Sequence, residues 1–179
     1  MQRILVQFDG SNFFNKVKQL SPNTHLTTYN YLNLVSFLTK NTYPQISYYV
    51  GEIKQYKNNQ KSKRLYANQQ SLFSNLRKQG INIKLGYLLK SDGKYHEKGV
   101  DVQIAADMIY GAMKDEYDIC YLISSDTDLL PAVKIAKNEH KHVVYVGFEY
   151  VMSRALMNNC SSYKVLTKDD VLSFELYKS

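Results

Sequence analysis

Two carboxylates, Asp126 and Asp128, close the run Cys120-Tyr121-Leu122-Ile123-Ser124-Ser125, in which apolar residues of strand type end in hydroxyls. Asp9 closes a second such run, Ile4-Leu5-Val6-Gln7-Phe8, and Asp101 stands where a helical pattern begins. In open parallel α/β sheets ligands bind outside the carboxyl ends of the strands, so Asp9 and Asp126 would share a site if their strands are neighbours. A helix starting beside that edge would add Asp101. Three or four oxygen ligands with no His or Cys among them suit a hard divalent cation, Mg²⁺ or Mn²⁺, that keeps several waters. Such an ion polarises a phosphoryl oxygen and acidifies a bound water, which is the chemistry of phosphodiester hydrolysis.

Each of these acids also stands where an acid stabilises a helix start. Asp128 could be the N-cap before Leu129, Asp101 could answer its helix dipole, and Ser11 or Asn12 could cap the first helix, each worth about 1 to 2 kcal/mol or less. Capping does not explain why Asp9 and the Asp126/Asp128 pair sit at the mouths of separate strands. Asp107 lies about 120° round the helix from Asp101 at 100° per residue, so the two cannot face one ion from a straight helix.

The elements that must position these groups follow from periodicity. Arg3 to Phe8 is a nearly continuous apolar run, the mark of a strand buried on both faces. Asp9-Gly10-Ser11-Asn12 then turns into a helix carrying Phe13, Phe14 and Val17, and a second helix carries Tyr31, Leu34, Val35 and Leu38. Ile46 to Gly51 reads as the next strand. A long helix with Leu65, Leu72, Phe73 and Leu76 on one face follows, ending at Gly80. Ile81 to Leu89 is a third strand, turned by Ser91-Asp92-Gly93, and Glu97 to Lys114 a helix rich in small apolar residues. Asp118 to Ser124, His142 to Phe148 and a short Tyr163 to Leu166 complete the strands. Between them fall helices at Leu129 to Asn138, whose Pro131 is tolerated in the first turn, and Met152 to Met157. Strands alternating with helices predict a doubly wound, mainly parallel sheet of five to six strands flanked by helices.

The 179 residues suit one domain over 1–179, with 44% hydrophobic and 22% charged residues. No stretch is long and apolar enough to span a bilayer, and the first residues lack a signal-peptide pattern, so a cytoplasmic protein is expected. Two cysteines without motif spacing argue for reduced thiols and against a zinc site. Charge is uneven: residues 1–91 hold 13 Lys/Arg against two acids, and residues 92–179 hold 10 against 14. The basic half contains Lys54, Lys57, Lys61, Lys63 and Arg64 with no acid among them. They could follow RNA phosphates while Tyr56 or Tyr66 stacks on bases, or simply form a solvated helix start. Most of the sixteen tyrosines fall in core patterns. His140 and His142 precede a strand, at the edge opposite the acids, whereas His96 stands near Lys98. No glycine-rich phosphate loop is present, so no nucleotide cofactor is expected.

Four motifs in order, Phe8-Asp9-Gly10-Ser11-Asn12, Lys98-Gly99-Val100-Asp101-Val102 with Asp107, Leu122-Ile123-Ser124-Ser125-Asp126-Thr127-Asp128, and Val144-Tyr145-Val146-Gly147-Phe148, resemble the NYN domain family. That family includes the LabA-like proteins and belongs to the PIN-like nuclease group. The match spans about residues 3–150, leaving 151–179 as C-terminal helix and strand additions. The resemblance implies a PIN-like fold and a Mg²⁺- or Mn²⁺-dependent ribonuclease site, with Asp9, Asp101 and Asp126 as ligands and Asp128 as ligand or neighbour of one. It implies that Asn12 orients Asp9 or a metal-bound water, and that Lys98 and Asp107 support the site. Ser125 departs from the family's usual Gly and Leu129 from its frequent Phe; the Ser125 side chain would stand beside the site, where substrate backbone should come close.

The expected activity is therefore endoribonuclease-like hydrolysis of single-stranded or structured RNA, with room for a homodimer or a protein partner and none for a membrane. The alternative is a non-catalytic RNA-binding or protein-binding scaffold. A phosphatase of the haloacid dehalogenase type fits less well, because that chemistry wants a second Asp two residues after the first, where Ser11 stands.

Overall fold

Ile4, Val6 and Phe8 of β1 (Ile4–Asp9) enter one core, Leu5 enters a second, and every residue of the strand is buried. That alternation builds the whole molecule, a computed structural model that describes residues 2–40, 44–54, 59–91 and 94–175, with backbone alone over 88–91 and 94–97. After β1 come α1 (Gly10–Leu20), α2 (Tyr31–Thr39), β2 (Gln45–Glu52), α3 (Gln60–Lys78), β3 (Asn82–Ser91) and β4 (Lys94–Lys98). The chain continues through α4 (Val100–Met113), β5 (Ile119–Ile123), a 3-10 turn (Thr127–Leu129), α5 (Leu130–Asn138), β6 (His142–Phe148), α6 (Arg154–Asn159), β7 (Ser162–Leu166) and α7 (Lys168–Ser173).

The sheet has seven strands in the order β4-β3-β2-β1-β5-β6-β7, all parallel except β4, which pairs antiparallel with β3. The expected five to six strands are thus exceeded by one, and the additional strand is β4. Its sequence, Lys-Tyr-His-Glu-Lys, has the charge that protects an edge strand from further pairing and lacks the apolar run that marks a buried one. For the same reason Glu97 and Lys98 end a strand instead of opening a helix.

One core lies under α1, α2, α3 and α7 and contains Phe8, Phe13, Tyr31, Tyr48 and Phe148; Phe13 and Tyr31 each lie within 5.2 to 6.1 Å of several neighbouring rings. The other core lies under α4, α5 and α6 and contains Leu5, Tyr49, Ile104, Leu122 and Tyr145. Phe73 and Leu76 of α3 are buried as its periodicity predicts, but Leu65 is 42% exposed, because it sits on the flank of the helix. The helix ends as expected, with the N–H groups of Gly80 and Ile81 returning to Arg77 O and Leu76 O. Both cysteines are free and buried; burial pushes the Cys160 thiol up to about 11 and that of Cys120 further. Among the described residues no helix is long and apolar enough to cross a membrane.

The chain leaves β1 outward through β2, β3 and β4, then returns through α4 to place β5 on the other side of β1. This reversal of strand order is the switch point at which a parallel sheet opens a crevice at its carboxyl edge. Asp9 and the segment Ser124 to Asp128 lie on its two sides.

Candidate active site at the carboxyl edge

Asp9 is the last residue of β1 and the N-cap of α1, its Oδ1 accepting the Asn12 N–H at 3.0 Å. The sequence points to Ser11 or Asn12 as the cap; the strand runs into the helix without a loop, so the cap falls two to three residues earlier, at Asp9. Gly10 makes that junction possible, since a Cβ there would lie 2.6 Å from the Tyr49 carbonyl oxygen. With its backbone amide spent on Asp9, Asn12 turns its side chain across the switch point, where Oδ1 accepts the Ser125 N–H at 3.1 Å.

Across the crevice, Ser124 donates its hydroxyl to Asp9 Oδ2 at 2.7 Å and accepts the Asp126 N–H at 3.1 Å. Asp126 in turn accepts the Asp128 N–H on Oδ1 at 2.8 Å and caps the 3-10 turn. Asp128 is therefore not the N-cap before Leu129, as the sequence allowed: it lies inside the 3-10 turn, exposed, as does Thr127. Pro131 stands in the first turn of α5, as expected. Asp9 is 4% exposed, whereas Asp126 is half-buried.

Asp101 reaches the same edge by the route β4 provides. Lys98 pairs with Tyr87, and Tyr87 with Glu52, the last residue of β2, so the antiparallel strand delivers the start of α4 to the carboxyl side. Gly99, at φ +83°, is the N-cap that turns the chain from β4 into α4. Asp101 is exposed in the first turn, Lys98 is exposed beside it, and α4 packs against the 3-10 turn that contains Asp128.

Asp107 faces elsewhere, in line with its angular offset from Asp101. Its Oδ2 accepts the Tyr49 hydroxyl at 2.9 Å with Lys84 Nζ 3.7 Å away, and its Oδ1 accepts Gln103 Nε2 at 2.7 Å. Tyr49 also accepts from Gln7 Nε2 at 2.8 Å, and that amide donates again to Ile104 O at 3.2 Å. Burial holds the Tyr49 hydroxyl well above its ordinary pKa, so it remains a donor. Asp107 thus fixes α4 to the sheet beneath the site and lines a cavity of about 250 Å³ with Tyr49, Lys84 and Tyr110.

Ser125 holds its side chain away from Asp9. Its hydroxyl lies 3.1 Å from the buried Tyr145 hydroxyl, which also accepts the Ser153 N–H at 3.0 Å. Ser124, Tyr145, Tyr49 and Gln7 were absent from the sequence-based site. Ser124 was nevertheless accessible to it: β5 pairs Leu122 with Gln7, and two residues on, Ser124 must face the same side as Asp9. Lys54, Lys61, Lys63 and Arg64 are exposed at the carboxyl end of β2 and the start of α3; Lys57 and Tyr56 lie outside the described residues, as do Asp92, Gly93 and the His96 side chain. His142 bonds Ser162 at the opposite edge.

Carboxylate oxygens from Asp9, Asp101, Asp126 and Asp128 are the donor type that a hard divalent cation takes. Among the described residues no three His, Cys, Asp or Glu side chains are grouped as a metal site.

The doubly wound, mainly parallel sheet flanked by helices defines an α/β domain with a crevice at its carboxyl edge. Residues 3–167 match the NYN domain, and the chain belongs to that family. It is similar in fold to a protein of unknown function from Vibrio parahaemolyticus RIMD 2210633, with a TM-score of 0.65 and 21% identity over 98% of this chain and 96% of that one. It is more distantly similar to T5 5′-exonuclease in a structure with zinc bound, with a TM-score of 0.45 and 16% identity over 87% of this chain and 60% of the other. Curated proteins give no match.

Proposed function

We propose that this NYN domain is a metal-dependent ribonuclease that hydrolyses RNA phosphodiester bonds at its carboxyl edge. The observation that carries the reading is the hydrogen-bonded link from Asp9 through Ser124 to Asp126, which joins the end of β1 to the loop after β5 at the switch point, with Asp101 opening α4 on the same side of the sheet. Capping needs none of them to share an edge.

Asp9, Asp101 and Asp126 would hold a Mg²⁺ or Mn²⁺ ion, with Asp128 beside them. The ion, when bound, supplies charge that offsets the negative charge of the reacting phosphate and acidifies water. The chain's own residues do the positioning. Ser124 and the Asn12 N–H orient the Asp9 carboxylate, and Asn12 ties α1 to the loop after β5 so that the two walls keep their spacing. Lys98, exposed three residues before Asp101, would meet a phosphate oxygen of the bound strand.

A second reading, a scaffold that binds RNA or protein without cleaving, is favoured by one observation: the Asp9 carboxylate is already met by two internal donors. Incubating the protein with labelled RNA in Mn²⁺, in Mg²⁺ and in EDTA separates them. Cleavage that EDTA abolishes and Mn²⁺ restores is expected; binding without turnover in every metal would leave the scaffold.

A further inference from the structure

Four described residues other than glycine have positive φ: Lys40, Asp115, His140 and Tyr150. The first three each end a helix, where a left-handed residue is ordinary: Lys40 caps α2, Asp115 follows the cap of α4 and His140 follows the cap of α5. Tyr150 ends none. It sits in the turn after β6 at φ +64°, a strained conformation for a bulky side chain, and is 92% exposed. The turn is held in place by Glu149 N–H to Leu166 O at 3.0 Å, Val151 N–H to Phe148 O at 3.2 Å, and Ser153 N–H to Tyr145. An ordered turn therefore presents an aromatic ring to solvent.

A second exposed tyrosine stands on the carboxyl side of the sheet, toward the other end of the strand order. Asp9 pairs with Tyr49 and Tyr49 with Lys84, so Tyr87 lies three residues beyond the level of Asp9. Gln7 pairs with Leu122 and Leu122 with Tyr145, which puts Gly147 level with Asp9; Tyr150 stands in the turn just past the end of β6, on the same carboxyl side. Tyr87 is 56% exposed. Strands β3 and β6 are separated by β2, β1 and β5, four spacings of about 4.8 Å, or roughly 19 Å. One nucleotide cannot span that separation, whereas a strand several nucleotides long, laid along the carboxyl edge, can.

We propose that Tyr87 and Tyr150 are stacking platforms for unpaired bases on either side of the acidic site, so that the nucleic acid taken is single-stranded RNA. This rests on the ribonuclease reading for the choice of RNA. Base stacking on an aromatic ring is tolerant of sequence and requires bases free of a duplex. The two ends differ in charge. Tyr87 pairs in register with Lys98, and Lys54, Lys61, Lys63 and Arg64 are exposed at the ends of the adjoining elements, against Glu52 and Asp101 among the described acids there. Around Tyr150, Arg154 and Lys168 are offset by Glu149 and Asp169. Phosphate attraction, and with it salt dependence, therefore belongs to the Tyr87 end.

The test is fluorescence anisotropy of a short end-labelled single-stranded RNA in EDTA, with a hairpin RNA as comparison. Tyr87→Ala and Tyr150→Ala should each weaken binding by about fivefold or more, while Tyr87→Phe and Tyr150→Phe, which keep the ring, bind within about twofold of wild type. Tyr163→Ala, an exposed tyrosine near the amino end of β7, should bind as wild type, and the hairpin should bind less tightly than the single strand. An Ala variant that binds normally, a Phe variant as weak as its Ala counterpart, or no preference over the hairpin overturns the proposal. RNA cleavage by wild type alongside normal binding by both Ala variants would remove the platforms and leave the ribonuclease; tyrosine-dependent binding without turnover in any metal would do the reverse.

Discussion

Ser124 donates its hydroxyl to the carboxylate of Asp9 across the switch point, 2.7 Å apart and 115 residues distant in sequence. The same oxygen accepts the Asp126 N–H, so one buried serine sets two of the acidic residues against each other.

Ser124→Ala removes both bonds and leaves a buried carboxylate oxygen and an amide without that partner. The expected cost is about 1 to 3 kcal/mol of unfolding free energy by urea titration, together with slower RNA cleavage. A variant as stable as wild type would show that Asp9 is held by other contacts.

Ser125→Gly restores the residue expected from the family resemblance. The Asn12 bond uses the backbone N–H of residue 125 and survives, while the contact with Tyr145 is lost. Stability should fall by about 0.5 to 1.5 kcal/mol with turnover retained. Loss of turnover would mean that the serine hydroxyl itself serves the reaction.

Acid should weaken the amino edge before it touches the core. Hydrogen bonds from Arg3 hold the Asp118 carboxyl down at about 2, from an ordinary 3.8, and Lys141 with Arg3 lowers that of Asp115. A carboxylate depressed in the folded state adds stability above its unfolded pKa and loses it as pH falls through the folded value. Wild type should therefore lose stability between about pH 4 and pH 2 more steeply than Asp118→Asn, and added salt should reduce the difference because these groups are exposed. Parallel stability profiles of the two proteins over that range would contradict this.

What the sequence makes legible follows from how each element is stabilised. The strands buried on both faces announce themselves by unbroken apolar runs, and β6 has the bounds that His142 to Phe148 suggest. The places of Asp9 at a strand end, Asp101 at a helix start and Asp126 after a strand are legible because periodicity reveals where strands and helices end. An edge strand such as β4 is stabilised by backbone pairing and protected by charge, so it carries no apolar signal. The last helix, α7, carries a signal of another kind: Thr167 and Asp170 form a reciprocal capping box, a four-residue helix-start signature. Capping assignments failed at Ser11, Asn12 and Asp128 because all three residue types can cap, and only the strand end decides which one does. Tyr150 was invisible for another reason, since a backbone angle leaves no trace in composition.

The most direct test of the acidic site is cleavage of an end-labelled single-stranded RNA in Mn²⁺ by wild type, Asp9→Asn and Asp126→Asn, each checked for an intact fold by circular dichroism. The expected result is EDTA-sensitive cleavage by wild type, and loss of about a hundredfold or more in both folded variants, as when a group acting on developing charge is removed. Turnover unaltered in both variants would contradict the account.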